Sequence, residues 1–541
     1  MRLVSLLVVW VVLAMPARAQ TVGSCDTGTA ERLLENTELQ ASVFNTGGLF
    51  FGGSTTSGDG YLIPRQEGTS PFLVAGVWLG GQVNGDVRVA GARYGDWDFW
   101  PGPLEDAATP PQDCSPYDRI YVVSREDIRQ FYLTGDLTDD LREWPHHLGA
   151  PVIDGDGDPD NYDLRAGDQP DLIGDVAAWW VMNDAGNDHG ASSPTGPIGV
   201  EVRVLAFVYG GVGQPLQSPV LTQTTFIRYE IVNRNDAPID EMYASMFADP
   251  DLGDAGDDYV GADTLRNMGI VYNDSNRDSA YGEAPPAVGM QILTGPVVGG
   301  DTLGTTSVST FVGGGADFAQ DPSTRDEFYN YMQGFWSNGE PYHEREWGYE
   351  QAGVPTTRYM YPGDPVTESF WSEVNTDGNG SDSPQGDRRL VVSTGPFQIE
   401  AGASQTLWVA FPYGRGSSHL NSVAVLQGRA AALQRLAADG FFTSRPVDAS
   451  TLGSAFELAL SRVRPNPSPR PQVVLTLPEG AHVRAAVYDA LGRQLEVVVN
   501  GELAGGETVL TMPDRLASGT YLLRVRVAPG GEETLTFTVT R

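Results

Sequence analysis

The residues best suited to chemistry in this sequence are aspartates that recur at short intervals. The stretch PVIDGDGDPDNYD holds Asp154, Asp156, Asp158 and Asp160 at alternate positions, with glycines between the first three. Carboxylates this close together repel one another unless a cation lies among them. The glycines allow the backbone to curl so that the oxygens converge. The pattern predicts a calcium loop, and the alternative is a solvated acidic turn.

The spacing in this stretch excludes an EF-hand. Asp154, Asp156 and Asp158 fall at loop positions 1, 3 and 5, but position 6 is Pro159 instead of glycine and position 12 is Arg165 instead of glutamate. The alternating aspartates are still similar to calcium loops of extracellular repeat modules. Oxygen ligands without His or Cys nearby favour calcium over zinc or copper.

A second acidic stretch, ADPDLGDAGDDYVGAD, follows a strand-like segment and is the other predicted calcium site. Its candidate ligands are Asp249, Asp251, Asp254, Asp257 and Asp258. The alternative is that these carboxylates only cap turns. A third stretch, NTDGNGSDSPQGD, is rich in Ser and Gly, so a loop is as good an interpretation as a site. Its possible ligands are Asp377, Asn379, Asp382 and Asp387.

Paired carboxylates could also hydrolyse a polysaccharide, since glycosidases use two carboxyl groups a fixed distance apart. With 70 acidic residues some pair fits by chance, so this alternative identifies no catalytic residue. The segment PYHEREWGYE lacks the second His of a His-Glu-x-x-His zinc helix. No Gly-x-Ser-x-Gly nucleophile motif is present. Whether the protein is an enzyme stays open, and a non-catalytic role is favoured.

Aromatic residues are the remaining candidates for ligand contact. They concentrate in YGDWDFWPGP and in FYNYMQGFWSNGEPYHEREWGYE. Exposed rings beside acids and amides could stack on the sugars of a glycan or other surface ligand. The alternative is that the rings fill the core under long loops.

Charge restricts the possible partners. The 34 basic residues are all arginine and face 70 acidic residues, which gives a net charge of −36. Without lysine, a Walker-type phosphate loop and a pyridoxal Schiff base are excluded. The negative charge also disfavours nucleic acid and anionic membrane surfaces, so no nucleic-acid partner is expected.

The N-terminus has the pattern of a secretory signal peptide over residues 1–19. Arg2 precedes an apolar run, and Ala17-Arg18-Ala19 is a small-x-small cleavage site. The run is too short for a transmembrane segment. The mature protein is therefore expected to be exported. In an oxidising compartment Cys25 and Cys114 could form a disulfide, and two separate thiols are the alternative.

Alternating apolar residues and frequent turn residues predict a mostly β fold with one late helix. Strands are predicted at 200–210, as a pair within 224–251, and as strand, hairpin, strand over 388–414. The helix is predicted at 421–440, with Gly440 at its end. We expect an acidic β-sandwich body at 20–440, of one or two units with a possible division near 215. A linker at 441–462 is expected to follow it.

The C-terminal residues 463–541 alternate in six or seven short strand-length runs. The motifs RPNPSP, VYDALGRQL, LASGTYLLRV and TLTFTVTR resemble the type A C-terminal sorting domain of the type IX secretion system. The strand pattern predicts a small immunoglobulin-like β-sandwich. The resemblance implies the type IX machinery as a partner and passage from the periplasm through the outer membrane, followed by release or attachment at the outer cell surface. The body resembles uncharacterised exported proteins that carry this sorting domain, which implies location and architecture but no chemistry.

Overall fold

A computed structural model describes most of the chain outside its N-terminus. The described residues are 23–52, 60–105, 108–190, 195–210, 218–312, 318–443, 446–447, 459–460, 463, 465–477, 481–489, 493–504, 506–528 and 531–541. The predicted signal peptide and most of the predicted linker lie outside them. The chain divides into two compact units, residues 1–128 with 137–446 (the body) and residues 129–136 with 447–541.

The prediction of a mostly β fold is confirmed, since 41% of the chain is strand and 12% is helix. The strands of the body are β1 (Glu31–Glu35), β2 (Gln40–Phe44), β3 (Gly48–Leu49), β4 (Tyr61–Leu62), β5 (Val74–Val83), β6 (Asp86–Arg93), β7 (Asp96–Trp97), β8 (Trp100–Pro101), β9 (Tyr121–Ser124), β10 (Val152–Ile153), β11 (Gln169–Pro170), β12 (Val176–Asn183), β13 (Val200–Val208), β14 (Thr224–Asn233), β15 (Ile239–Asp249), β16 (Asp258–Asp263), β17 (Met268–Asn273), β18 (Arg277–Asp278), β19 (Gly282–Glu283), β20 (Ala287–Thr294), β21 (Val297–Val298), β22 (Asp301–Thr302), β23 (Ser307–Val312), β24 (Tyr342–His343), β25 (Thr356–Thr357), β26 (Arg388–Ile399) and β27 (Ser404–Gly414).

Most strands of the body, as far as the structure describes it, belong to two large antiparallel sheets. The first has the order β1-β2-β3-β5-β15-β26-β23, and the second has the order β16-β17-β20-β27-β14-β13-β12-β8. Their inner faces share one apolar core, to which the first sheet contributes Val77, Phe247 and Val391 and the second contributes Val204 and Ile227. The body is therefore a β-sandwich. The body forms one compact unit. β13 and β14, the strands before and after residue 215, are paired neighbours in the second sheet.

The prediction of a hairpin within 388–414 is wrong. β26 pairs with β15 in the first sheet, whereas β27 pairs with β14 in the second. The chain therefore crosses between the sheets after β26, and it also crosses after β14. The buried Asn233 holds the two crossings together: its Nδ2 donates to the carbonyls of Ala237 and Ile399, both at 2.9 Å.

In the part of the chain that the structure describes, the α-helices are α1 (Arg125–Thr134), α2 (Asp139–Arg142), α3 (Pro219–Thr222), α4 (Arg325–Met332) and α5 (His419–Ala438). The long helix α5 confirms the predicted late helix. Ser418 caps its first turn and Gly440 follows its end at φ +69°. Its face of Val423, Leu426 and Ala430 packs on the second sheet. Among the described residues, no helix is long and apolar enough to cross a membrane.

The second unit is a smaller β-sandwich. Its strands are β28 (Ala459–Leu460), β29 (Gln472–Leu477), β30 (Ala481–Tyr488), β31 (Gln494–Leu503), β32 (Gly506–Thr511), β33 (Gly519–Ala528) and β34 (Gly531–Val539). They form one sheet in the order β28-β29-β32 and another in the order β31-β30-β33-β34. Both sheets contribute to one core, for example Leu475 and Leu523.

Two of the motifs that carry the resemblance meet in this unit. Asn466, from RPNPSP, accepts a hydrogen bond from the amide of Thr538 at 2.8 Å. Ser468 exchanges backbone hydrogen bonds with Thr538 and Thr540, each at 3.2 Å. The segment before β29 is thereby fixed along the last strand.

Cys25 and Cys114 form a disulfide that closes a loop of 89 residues. Both cysteines are buried. In the chain-entropy model a loop of this length stabilises the folded state by about 4–5 kcal/mol, because it restricts the unfolded chain.

We expect the double variant Cys25→Ser with Cys114→Ser to lower the free energy of unfolding by about 4 kcal/mol, measured by urea denaturation under non-reducing conditions. Ser24→Ala, beside Cys25, is the matched control and should change the free energy of unfolding by less than about 0.5 kcal/mol. Equal stability of the double variant and the control would contradict the stabilising role.

Candidate metal centres

The first acidic loop is closed by a short hairpin. β10 and β11 pair at residues 152–153 and 169–170, so the two ends of the aspartate loop come together. Gly155 lies against Gly167 so closely that a Cβ on Gly155 would be 2.3 Å from the carbonyl carbon of Gly167. Glycine is therefore required at position 155 for the loop to close.

This closure creates a cluster of three carboxylates, which we call the hairpin cluster. One oxygen each of Asp154, Asp156 and Asp168 lies within 4.8 Å of the others, and Asp168 alone is buried. Asp168 accepts the amides of Gly155 at 2.9 Å and of Asp163 at 2.6 Å. Both of its oxygens are thus already used by the loop's own backbone.

The other two aspartates of the opening stretch lie outside the hairpin cluster. Asp158 and Asp160 are exposed. Asp158 accepts the amide of Asp160 at 3.2 Å, and Asp156 accepts the amide of Asp158 at 2.9 Å. These are turn-capping contacts, so the structure combines both interpretations of the stretch: two aspartates join a cluster and two cap turns or face solvent.

The second acidic stretch contributes to a different cluster, the strand-end cluster. It consists of Asp249, Asp251 and Asp387, each with an oxygen within 4.8 Å of the others. Asp249 ends β15 and Asp387 precedes β26. Because Ala248 pairs with Leu390 across these strands, both aspartates reach the same end of the first sheet.

Burial distinguishes the strand-end cluster. Asp249 is 1% exposed, and its Oδ1 has no hydrogen-bond partner among the described residues. Its Oδ2 lies 3.3 Å from Nη2 of Arg389, whose Nη1 lies 2.5 Å from Asp387. Nε of Arg389 donates to the hydroxyl of Tyr94 at 2.9 Å. One guanidinium thus lies among three carboxylates. Its single positive charge cannot neutralise all three, so net negative charge remains around the buried Asp249.

The pKa values of two of these aspartates are raised by burial and by the excess of negative charge. Burial raises the pKa of Asp249 to about 7, although the charge of Arg389 partly opposes the rise. Burial, followed by the charge of Asp387, raises the pKa of Asp251 to about 6. Both carboxyls would be held ionised by a cation placed between them.

The remaining predicted ligands of this stretch lie outside the strand-end cluster and are fixed by hydrogen bonds. Asp254 accepts the amide of Gly256 at 3.0 Å, and Asp257 accepts Nδ2 of Asn273 at 2.6 Å. Asp258 is buried; its Oδ2 accepts the amide of Leu252 at 3.2 Å, and its Oδ1 has no hydrogen-bond partner among the described residues. Burial raises the pKa values of Asp257, to about 6, and of Asp258.

The third stretch is divided in the same way. Asp377 accepts the amides of Asn379 and Ser381 and the hydroxyl of Ser381. These hydrogen bonds lower the pKa of Asp377 to about 2. Asp387, at the end of the stretch, instead joins the strand-end cluster.

Sequence reasoning missed Asp168 as a cluster member and Arg389 as the cation within the strand-end cluster. Asp168 follows Gly167, and the Gly155 and Gly167 pair was the available signal for a closed loop. Asp387 was already a possible ligand of the third stretch, but neither it nor Arg389 gave a local signal of contact with Asp249, because only the register of β26 on β15 brings them together.

Most rings of the aromatic stretches fill the core, which was the alternative to ligand contact. Phe328, Tyr331, Trp336 and Tyr342 are buried in the shared core. Trp347, in contrast, is 41% exposed.

Comparisons with known proteins add no information about the candidate sites. No model of a known protein family matches the sequence, and no curated protein matches it. A polysaccharide lyase among the solved structures is similar at 9% sequence identity and a TM-score of 0.18, over 63% of this chain and 34% of that protein. This chain spans about a third of that protein's length, and a similarity this low carries no argument about fold or activity.

Without a cation, the raised pKa values of Asp249 and Asp251 predict a stability that depends on pH. The folded state binds these protons more tightly than the unfolded chain, whose carboxyl pKa is about 3.9. Their stabilising contribution is complete below about pH 4 and is lost as the pH rises through about 6 and 7. We expect the melting temperature in chelator to fall between pH 5 and pH 8.

Asp249→Asn tests this origin, because the amide cannot ionise. We expect it to flatten the fall in melting temperature between pH 5 and pH 8, whereas the exposed Asp160→Asn should leave the wild-type profile intact. An unchanged profile in Asp249→Asn would contradict the assignment.

Proposed function

We propose that this protein is an exported, non-catalytic binding or structural protein whose β-sandwich body is stabilised by calcium. The observation that carries the calcium proposal is Asp249. Its carboxylate is buried, one of its oxygens has no hydrogen-bond partner among the described residues, and two further carboxylates converge beside it. Such an arrangement is costly unless a cation joins it.

The spacing of the strand-end cluster supports calcium as the ion. Calcium–oxygen distances are about 2.3–2.6 Å, so oxygens on opposite sides of the ion are about 5 Å apart. The carboxylate oxygens of Asp249, Asp251 and Asp387 lie within 4.8 Å of one another. All three ligands are hard oxygen donors, as calcium prefers. The hairpin cluster is a second, weaker candidate, because backbone amides already occupy both oxygens of Asp168.

Burial favours a structural role for these carboxylates over hydrolysis. A nucleophile or general acid must touch the substrate, but Asp249 is 1% exposed. The alternative of a secreted polysaccharide hydrolase therefore gains no support from the strand-end cluster. Delivery is proposed to follow the signal-peptide pattern and the type IX sorting motifs, with the mature protein secreted or held at the outer surface.

Calcium binding has a direct test in thermal unfolding. At a free concentration 100 times its dissociation constant, an ion that binds only the folded state adds about 2.7 kcal/mol, which raises the melting temperature by a few degrees. We expect this rise at pH 7.5, a smaller rise at pH 5, where Asp249 and Asp251 are protonated, and loss of the rise in Asp249→Asn.

Asp160→Asn is the matched control for the calcium effect and should keep the full rise. Asp168→Asn separates the two clusters: retention of most of the rise assigns it to the strand-end cluster. A melting temperature that is the same in calcium and in chelator at pH 7.5 would contradict the calcium proposal.

Export has an independent test in a bacterium with a type IX system. We expect the full chain to reach the medium or outer surface and a chain lacking residues 463–541 to accumulate in the periplasm, measured by fractionation and immunoblotting. Deletion of residues 2–19 should retain the protein in the cytoplasm. Export of the chain without residues 463–541 at the full level would refute the sorting role.

A further inference from the structure

A pocket of about 260 Å³ lies beside β23 and the start of β26 in the first sheet. The lining side chains that bear on its function are Phe311, Trp336, Trp347, Tyr349, Tyr361 and Arg388. Pockets for drug-sized ligands have volumes of about 300–1,000 Å³. This pocket is smaller, so it suits one ring.

The floor of the pocket is held in place by packing. Trp336 is buried, and its Nε1 donates to the carbonyl of Gly348 at 3.2 Å. Its ring meets the edge of Tyr342 at 4.9 Å between centroids. Tyr361 is also buried and packs on Trp371 at 5.4 Å. The floor is therefore formed before any ligand arrives.

The rim is presented by the loop that joins β24 to β25. Gly348 lies at φ +76°, and a Cβ there would be 2.9 Å from Sδ of Met360, so the turn depends on glycine. On either side of it, Trp347 and Tyr349 are 41% and 39% exposed.

Trp347 is the unusual member of the rim. Among the described residues, its indole has no hydrogen bond and no stacked aromatic neighbour. The hydroxyl of Tyr349 likewise has no hydrogen-bond partner there. The apolar face of the Trp347 ring, its Nε1–H group and the Tyr349 hydroxyl are thus open to a ligand.

Charge narrows the ligand class. None of the described lining residues is acidic, so a cationic ligand finds no carboxylate there, and the charged side chain in that lining is Arg388. That guanidinium is already paired, because its Nη2 lies 2.7 Å from Oε1 of the buried Glu373. The net charge of −36 repels anions. A neutral ligand needs no counter-charge, and the described lining offers no unpaired one.

We propose that this pocket binds one pyranose unit of a neutral glycan. The apolar face of the sugar would stack on the Trp347 ring, and its hydroxyls would bond to Tyr349 Oη and Trp347 Nε1. A purely apolar ring could use the same face but neither polar tip. This inference rests on the proposed binding role and gives it a site and a ligand class.

Saturation-transfer NMR with the intact mature protein tests the pocket. The probes are the methyl glycosides of β-D-glucose, β-D-galactose and α-D-mannose, with toluene as a neutral apolar ring and tetramethylammonium as a cation. We expect at least one glycoside to bind and Trp347→Ala to weaken it about tenfold. Phe370→Ala removes a ring of similar exposure, 42%, away from the pocket and should leave binding unchanged.

Tyr349→Phe should weaken glycoside binding without affecting toluene, which has no hydroxyl to bond to Tyr349. Absence of binding by all three glycosides, equal binding by Trp347→Ala and wild type, or displacement of the glycoside by tetramethylammonium would overturn the proposal. These outcomes are separate from the calcium test, since a calcium-dependent melting temperature without glycoside binding rejects only the pocket.

Discussion

The fold of the body depends on two neighbouring crossings between its sheets. β14 and β15 are consecutive in the chain but lie in different sheets, and β26 and β27 repeat this arrangement beside them. The side-chain amide of Asn233 donates to the turns of both crossings. A buried amide left without these acceptors would cost about 1–3 kcal/mol, so this residue fixes how the two sheets face each other.

The charged strand-end cluster lies at the opposite end of the strand pair β15 and β26. The register that the crossings impose on β15 and β26 places Asp249 opposite Arg389, with Asp387 one residue before β26. The next residue, Arg388, pairs with Glu373 and lines the aromatic pocket. The three consecutive residues 387–389 therefore serve different structures. Asp387 and Arg389 belong to the strand-end cluster, Arg388 belongs to the pocket wall, and both arginines lie in the first sheet.

Local sequence patterns predicted which segments form strands or a helix better than they predicted which strands pair. The alternation at 200–210 and 224–251 and the face of Val423, Leu426 and Ala430 identified real strands and the real helix. Nothing local distinguishes a hairpin from a crossing, since Gly402 and its neighbours make a tight turn in either case. The hairpin prediction therefore failed over β26 and β27.

The candidate sites show the same limit. Short spacing identified Asp154 and Asp156, because their cluster forms largely within one loop, and it also found Asp249 and Asp251. It could not select among the remaining aspartates, because burial and strand register decide which carboxylates meet. Asp168 and Asp387 join their clusters through pairings that are visible only in the folded chain.

The body contains one covalent cross-link and a carboxylate cluster that could hold an ionic one, and the two would act on different states. The disulfide of Cys25 and Cys114 persists when the chain unfolds, so it works by limiting the freedom of the unfolded ensemble. An ion between Asp251 and Asp387 would leave on unfolding and would act through mass action on the native state alone. The first cross-link therefore responds to the redox potential of the surroundings, and the second would respond to their free ion concentration.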